Sequence, residues 1–176
     1  MHTQTHILSG WCVGSLFGLT ARERLFCMMA ASLADLDGVS GVFGEMAFAE
    51  YHHRLSHNVF FALLMAGVLV CLSRHRFKGA LLYLGLFHLH VLMDHFGSGR
   101  SWTIYYLWPV SEWELKSRYA WALYSWQNLS MAGGVVVWTV LIAIFQGRTP
   151  LEAMMPNLDR QLVDWLRRRA GRRVDA

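Results

Sequence analysis

Apolar residues fall along the chain in blocks separated by short polar turns. Residues 7–20 (ILSGWCVGSLFGLT), 25–34, 58–73, 79–96 and 131–145 are apolar runs. Each predicts one helical leg of a bundle, and residues 131–145, free of charge, are the cleanest membrane span. The first two runs are short. Fourteen helical residues reach roughly 21 Å, against roughly 30 Å of hydrocarbon, so they cross only by thinning the bilayer, by extending into their flanks or by sitting inside the bundle. Residues 38–51, Gly-rich at first, read as a loop leading into a helix. Residues 97–128 are polar and aromatic, with a Gly-Ser-Gly turn at 97–99 and Trp102, Trp108, Trp113, Trp121 and Trp126. Residues 157–169 place Leu158, Leu162, Trp165 and Leu166 on one helical face and arginines elsewhere, the pattern of an amphipathic helix lying on a membrane surface.

The predicted fold class is therefore all-α. Residues 1–147 form a polytopic membrane helical bundle of about four to five apolar helices, and residues 148–176 a basic tail with an amphipathic helix. Composition supports a membrane protein, with 55% hydrophobic and 16% charged residues against roughly 45–50% and about 25% in soluble chains. Cys12, Cys27 and Cys71 are odd in number and lie in apolar runs, which argues against a disulfide framework. Met1 to His6 carries no Lys or Arg, so no cleaved leader is predicted. Seven arginines between Arg148 and Arg173 face only four acids beyond residue 147. Beside apolar spans such an excess marks the cytoplasmic side, and no nucleic-acid partner is expected.

Charge also orders the ends. Arg22 to Arg24, Arg74 to Lys78, and Arg148 follow the first, third and fifth legs, so in an up-and-down bundle they gather at one end, predicted cytoplasmic. The opposite end receives His6, Asp35, Asp37, His53, His57, His90 and Asp94 from four different legs. Unpaired carboxylates and imidazoles in apolar surroundings are expensive, so their convergence points to a metal site. His53 and His57, four apart, would stack on one face of a helix that opens the third leg. Mixed imidazole and carboxylate ligands favour zinc, with manganese or iron as alternatives, and seven ligands suit two ions better than one. Such a site activates water and clamps a phosphate or acyl oxygen. Asp35 or Asp37 could instead serve as general base, and Arg54 and Arg100 are candidate anion partners. No G-x-S-x-G elbow, Walker-type loop or supported Cys-His pair competes.

These residues resemble the YdjM-type, LexA-regulated, membrane-bound metal-dependent hydrolases. The resemblance rests on Thr5-His6 before an apolar run, Ala34-Asp35-Leu36-Asp37 where the family shows Pro-Asp-x-Asp, and the His-Arg and Ser-His of residues 53–57. It continues through His90-x-x-x-Asp94 with a Gly-Ser turn and Leu107-Trp108-Pro109, and covers roughly residues 5–110. Family spacing of the histidines would select His52 with His57, whereas Arg54 and helical geometry favour His53; both stay open. The resemblance implies an inner-membrane hydrolase distantly similar to zinc-dependent phospholipase C and nuclease bundles.

The expected function is hydrolysis of an ester or phosphoester, small or lipid-derived, at a two-metal centre on the outward end of a multi-pass protein of the bacterial inner membrane. Membrane lipid is the expected partner. Two rivals stand beside it: a non-enzymatic metal- or haem-binding or transport protein, and a di-iron oxidative enzyme, since residues 52–57 also resemble a desaturase histidine box.

Overall fold

The structure is a computed structural model and describes residues 1–172; the last four residues of the basic tail, Arg173 among them, lie outside the described part. Seven α-helices run in order: α1 Thr3–Gly14, α2 Ala21–Ala30, α3 Glu45–Tyr51, α4 Val59–Leu72, α5 Arg76–Gly97, α6 Trp126–Gln146 and α7 Pro156–Arg169. A 3-10 segment, Leu33–Phe43, links α2 to α3. The described residues contain no strand beyond a single antiparallel bridge, Ile104 with Leu115.

Local chemistry sets the helix ends. Thr20 and Glu23 form a reciprocal capping box at the start of α2, and Ser125 caps α6. Gly147 ends α6 in the left-handed region at φ 70°, a conformation open to glycine because it has no Cβ. Asn58 caps α4: its side-chain oxygen accepts the Phe61 N–H at 2.9 Å, while its amide donates to the carbonyls of Arg54 and Leu55. This cap stops α4 from extending upstream. His53 and His57 consequently lie in an irregular link, not on a helix face as the spacing suggested, and His53 adopts φ 66°.

Packing is built on helical stripes. Ala62, Met65, Ala66 and Leu69 of α4 face Tyr83, Leu86, Phe87 and Val91 of α5, and α2 adds Phe26, Cys27 and Ala30. Helix α1 packs closely on α2. A Cβ on Gly10 would stand 2.7 Å from Ala31 Cβ, so only glycine allows that approach.

Contacts at the helix ends show which residues meet at each end. At one end, Glu23 accepts hydrogen bonds from the His75 backbone at 2.7 Å and from its ring. There too Arg24 forks onto Glu152 through Nε and Nη2, each at 2.5 Å, while Trp11 Nε1 donates to the same carboxylate. At the other end, Asn128 of α6 donates to the Gly97 carbonyl at 2.7 Å, just beyond Asp94. The helices α1, α2, α4, α5 and α6 thus alternate between a basic end and a His/Asp end.

Among the described residues α6 alone is long and apolar enough to cross a membrane, and α2 with the 3-10 segment, bent by 52°, would make a second, broken crossing. Four to five legs exist as helices, but α1, α2 and α4 hold only 12, 10 and 14 residues. Among α6 residues only Asn128, Ile142 and Ala143 are buried by the protein, so its apolar surface is largely open.

Candidate metal centre

The buried stripe of α5 carries the site. His90 and Asp94 continue the spacing of Tyr83 and Phe87, so the face that packs the core also brings an imidazole and a carboxylate inward. His88 falls off this stripe and bonds to Tyr106 instead. Helix α1 supplies His6, the 3-10 segment supplies Asp35 and Asp37, and the link between α3 and α4 supplies His52, His53 and His57. That link is held from the side by residues 105 and 106, through Tyr105 N–H to His53 O at 3.1 Å and Val59 N–H to Tyr106 O at 2.9 Å.

Asp35, His57, His90 and Asp94 each offer one ligand atom, and these atoms all lie within 4.8 Å of one another. His90 Nε2 is 3.2 Å from Asp94 Oδ2 and 3.6 Å from Asp35 Oδ1. His57 Nε2 is 3.4 Å from Asp94 Oδ2 and 3.1 Å from His90 Nε2. His6 and His53 border the same carboxylate, with Nε2 atoms 3.1 Å from Asp94 Oδ1 and 3.6 Å from Asp94 Oδ2 respectively. Asp37 stands apart from this group. It accepts from His57 Nδ1 at 2.9 Å, His52 Nδ1 at 2.8 Å and the Ser56 N–H at 3.2 Å. Between His52 and His53, the structure puts His53 against Asp94 and His52 against Asp37. Arg54 lies over the Tyr105 ring and pairs with Glu112 at 3.1 Å, and Arg100 is exposed.

His57 Nδ1–H donates to Asp37, and His90 Nδ1–H donates to the Ala31 carbonyl at 2.8 Å. In neutral rings both Nε2 atoms then present lone pairs to each other and to carboxylate oxygens. Such a pocket calls for a cation. Burial opposes charge on His57, but its bonds to Asp37 and Asp94 outweigh that and raise the imidazole to about 9, so without a metal the ring also carries a proton on Nε2, which a metal ion bound there would displace. His53 is held well below its ordinary value by burial and by the neighbouring His57. The Met1 amino group also donates to Asp94 Oδ1 and to the Ser98 hydroxyl. His6 Nδ1, His53 Nδ1 and Asp35 Oδ2 are buried without a hydrogen-bond partner. Orphaned polar atoms around an electron-rich core fit a divalent metal.

A cavity of about 180 Å³ opens onto the cluster, lined among others by Asp35, Phe48, His52, His53, Asp94 and Trp102. Phe48 stacks on His52 with ring centres 4.5 Å apart. Phe48 and Trp102 carry no pattern in the sequence that marks them as cavity walls. Ser56 did carry one, since it sits beside His57, yet its part in holding Asp37 emerges only from the fold.

Fold and site together give a helical bundle with a buried His/Asp cluster that could hold a metal ion, and one helix long and apolar enough to cross a bilayer. The chain belongs to the YdjM inner membrane protein family, whose profile matches residues 1–157. Neither a curated protein nor a solved structure matches it.

Proposed function

We propose that this YdjM-family protein is a multi-pass enzyme of the inner membrane that hydrolyses an ester or phosphoester at a divalent metal centre. The observation that carries this reading is the facing pair of His57 and His90 Nε2 atoms, 3.1 Å apart beside two carboxylates, with both Nδ1 atoms already committed to acceptors. Asp35, His57, His90 and Asp94 would hold one ion; His6 and His53, both against Asp94, would complete a second site in which Asp94 is shared. Zinc suits these donors, as do manganese and iron. Bound metal supplies charge stabilisation and a nucleophile from water near neutral pH.

The residues themselves divide the remaining work. Asp37 fixes the tautomer and direction of His57 from behind, the usual task of a carboxylate behind a metal-binding imidazole. Asp35, which lines the cavity and keeps Oδ2 free, is the carboxylate placed to accept a proton from attacking water. His52, Phe48 and Trp102 wall the cavity and limit water around the substrate.

Surface chemistry supports a placement in the membrane. Leu63, Leu64 and Val68 of α4, Leu81 of α5 and Val137 of α6 are exposed apolar side chains, which suits contact with hydrocarbon. The basic end, with Arg22, Arg74, Arg76 and Arg148, faces the cytoplasm, and the tail lies on that side.

Elemental analysis of detergent-purified protein, beside His57→Ala and Asp94→Ala, tests the centre, and chromogenic phosphoesters and carboxylesters test the chemistry. Stoichiometric metal with hydrolysis, both lost in the two variants, is the expected result. No stoichiometric metal in the wild type after reconstitution would overturn the reading; metal without hydrolysis of any ester would leave a non-catalytic metal protein.

A further inference from the structure

At the end opposite the metal centre, α7 shows three faces. Asp159 and Val163 are buried, and Asp159 accepts from the Thr149 N–H and hydroxyl at 2.6 Å, which docks the helix beneath α6. Leu158, Leu162 and Trp165, spaced for a second face, are exposed at 47, 37 and 51%. Arg160, Arg168 and Asp164 belong to the third. An apolar stripe left open beside a docked one is unexpected in a helix that serves only packing.

This open stripe continues into the exposed surface of α6. A groove of about 550 Å³ runs between the two helices, lined by Val140, Ile144, Trp165, Leu166, Arg169 and Ala170. Its floor is aliphatic and its rim is basic. Arg169 sits over Trp165, 5.7 Å from the ring centre, and Arg172 over Phe145 at 4.1 Å. Arg168 is exposed next to them, and among the described residues no acidic side chain lines the groove. The nearby Glu152 is already engaged by Arg24.

We infer that this groove is a docking site for an anionic phospholipid of the leaflet at the basic end, its acyl chain against Val140 and Ile144 and its phosphate among Arg168, Arg169 and Arg172. The inference rests on the membrane reading of α6, since the groove is continuous with that helix's open face, and is independent of catalysis at the far end. Charge complementarity selects the headgroup: arginine forks onto phosphate oxygens, and a net negative lipid gains attraction that a zwitterionic one does not. In-plane burial of Leu158, Leu162 and Trp165 at the acyl boundary then gives the stripe its apolar partner.

The full-length protein, reconstituted into equimolar phosphatidylglycerol and phosphatidylcholine vesicles and re-extracted in mild detergent, is assayed for retained phospholipid by mass spectrometry. Phosphatidylglycerol is expected to be retained over phosphatidylcholine, and the preference to fall about fivefold for each arginine changed in Arg168→Gln, Arg169→Gln and Arg172→Gln. Ala170→Trp, which fills the groove without changing charge, should lower retention of the same lipid. Metal content and helical circular dichroism, reporting on the distant end and on folding, should stay unchanged. Equal retention of both lipids by the wild type, a preference untouched by the arginine changes, or cross-linking that shows a second copy of the chain seated in the groove would overturn the inference.

Discussion

Asp37 grips His57 from the side facing away from the cluster, its Oδ2 2.9 Å from Nδ1, while the Nε2 of the same ring points at Asp94. One carboxylate therefore aims an imidazole at another. Asp37→Ala is expected to weaken metal binding by about 10- to 100-fold without abolishing it, whereas Asp94→Ala removes the group shared by His6, His53, His57 and His90. Metal titrations of the two variants against a chelator separate the roles; equal loss in both would place Asp37 among the direct ligands.

His52 and His53 are distinguished in the same way. His53 Nε2 stands 3.6 Å from Asp94 Oδ2, and His52 Nδ1 is spent on Asp37. His53→Ala should lower the metal-to-protein ratio, and His52→Ala should leave it near the wild-type value while altering hydrolysis through the cavity wall. The reverse pattern in elemental analysis would exchange their assignments.

At the basic end, Arg24 and Glu152 form a two-pronged ion pair with side chains 6 and 10% exposed. Glu152→Ala leaves the Arg24 charge and the Trp11 N–H without their partner, and is expected to destabilise the protein by about 3 kcal/mol. Replacing Arg24 and Glu152 together by leucine should be much milder, because no lone charge remains. Thermal denaturation in detergent gives both values.

Gly10→Val forces apart α1 and α2, since a Cβ there meets the Cys27 backbone carbonyl and Ala31. A loss of about 1–3 kcal/mol is expected, with Gly67→Ala, which meets nothing within 4 Å and favours the helix, as the control that does not destabilise. Because α1 also carries His6, the same substitution should reduce metal content.

The alternation of helices makes Ser98 and Arg148 opposite poles. Reporter fusions are expected to score periplasmic near Ser98 and cytoplasmic after Arg148. The same location for both would remove the crossing assigned to α6.

The helices and the gathering of basic turns at one end were readable because apolar runs and basic turns are local signals, and α5 wrote its site residues into the same stripe as its core. The link at residues 52–58 was not readable as a loop: four-residue spacing suits a helix, and only the Asn58 cap and the φ of 66° at His53 decide otherwise. Asp37 could not be told from Asp35 by type or spacing, because what separates them is the direction each side chain takes from the 3-10 segment. Arg24 and Glu152 lie 128 residues apart, a separation over which no periodicity connects two charges. The cap formed by Thr20 and Glu23, by contrast, is a sequence-visible pattern that explains why α2 begins where it does.

Helix α6 is fastened at one end by Asn128 to Gly97 and beyond the other by Glu152 to Arg24 and Trp11, and it packs along α1 between them. Neither fastening needs the intervening stretch of chain to be continuous. A backbone cut in the exposed turn at residues 111–114 should therefore leave a nicked protein whose two pieces purify together, and the same pieces made as separate polypeptides should find each other in the membrane and rebuild the bundle.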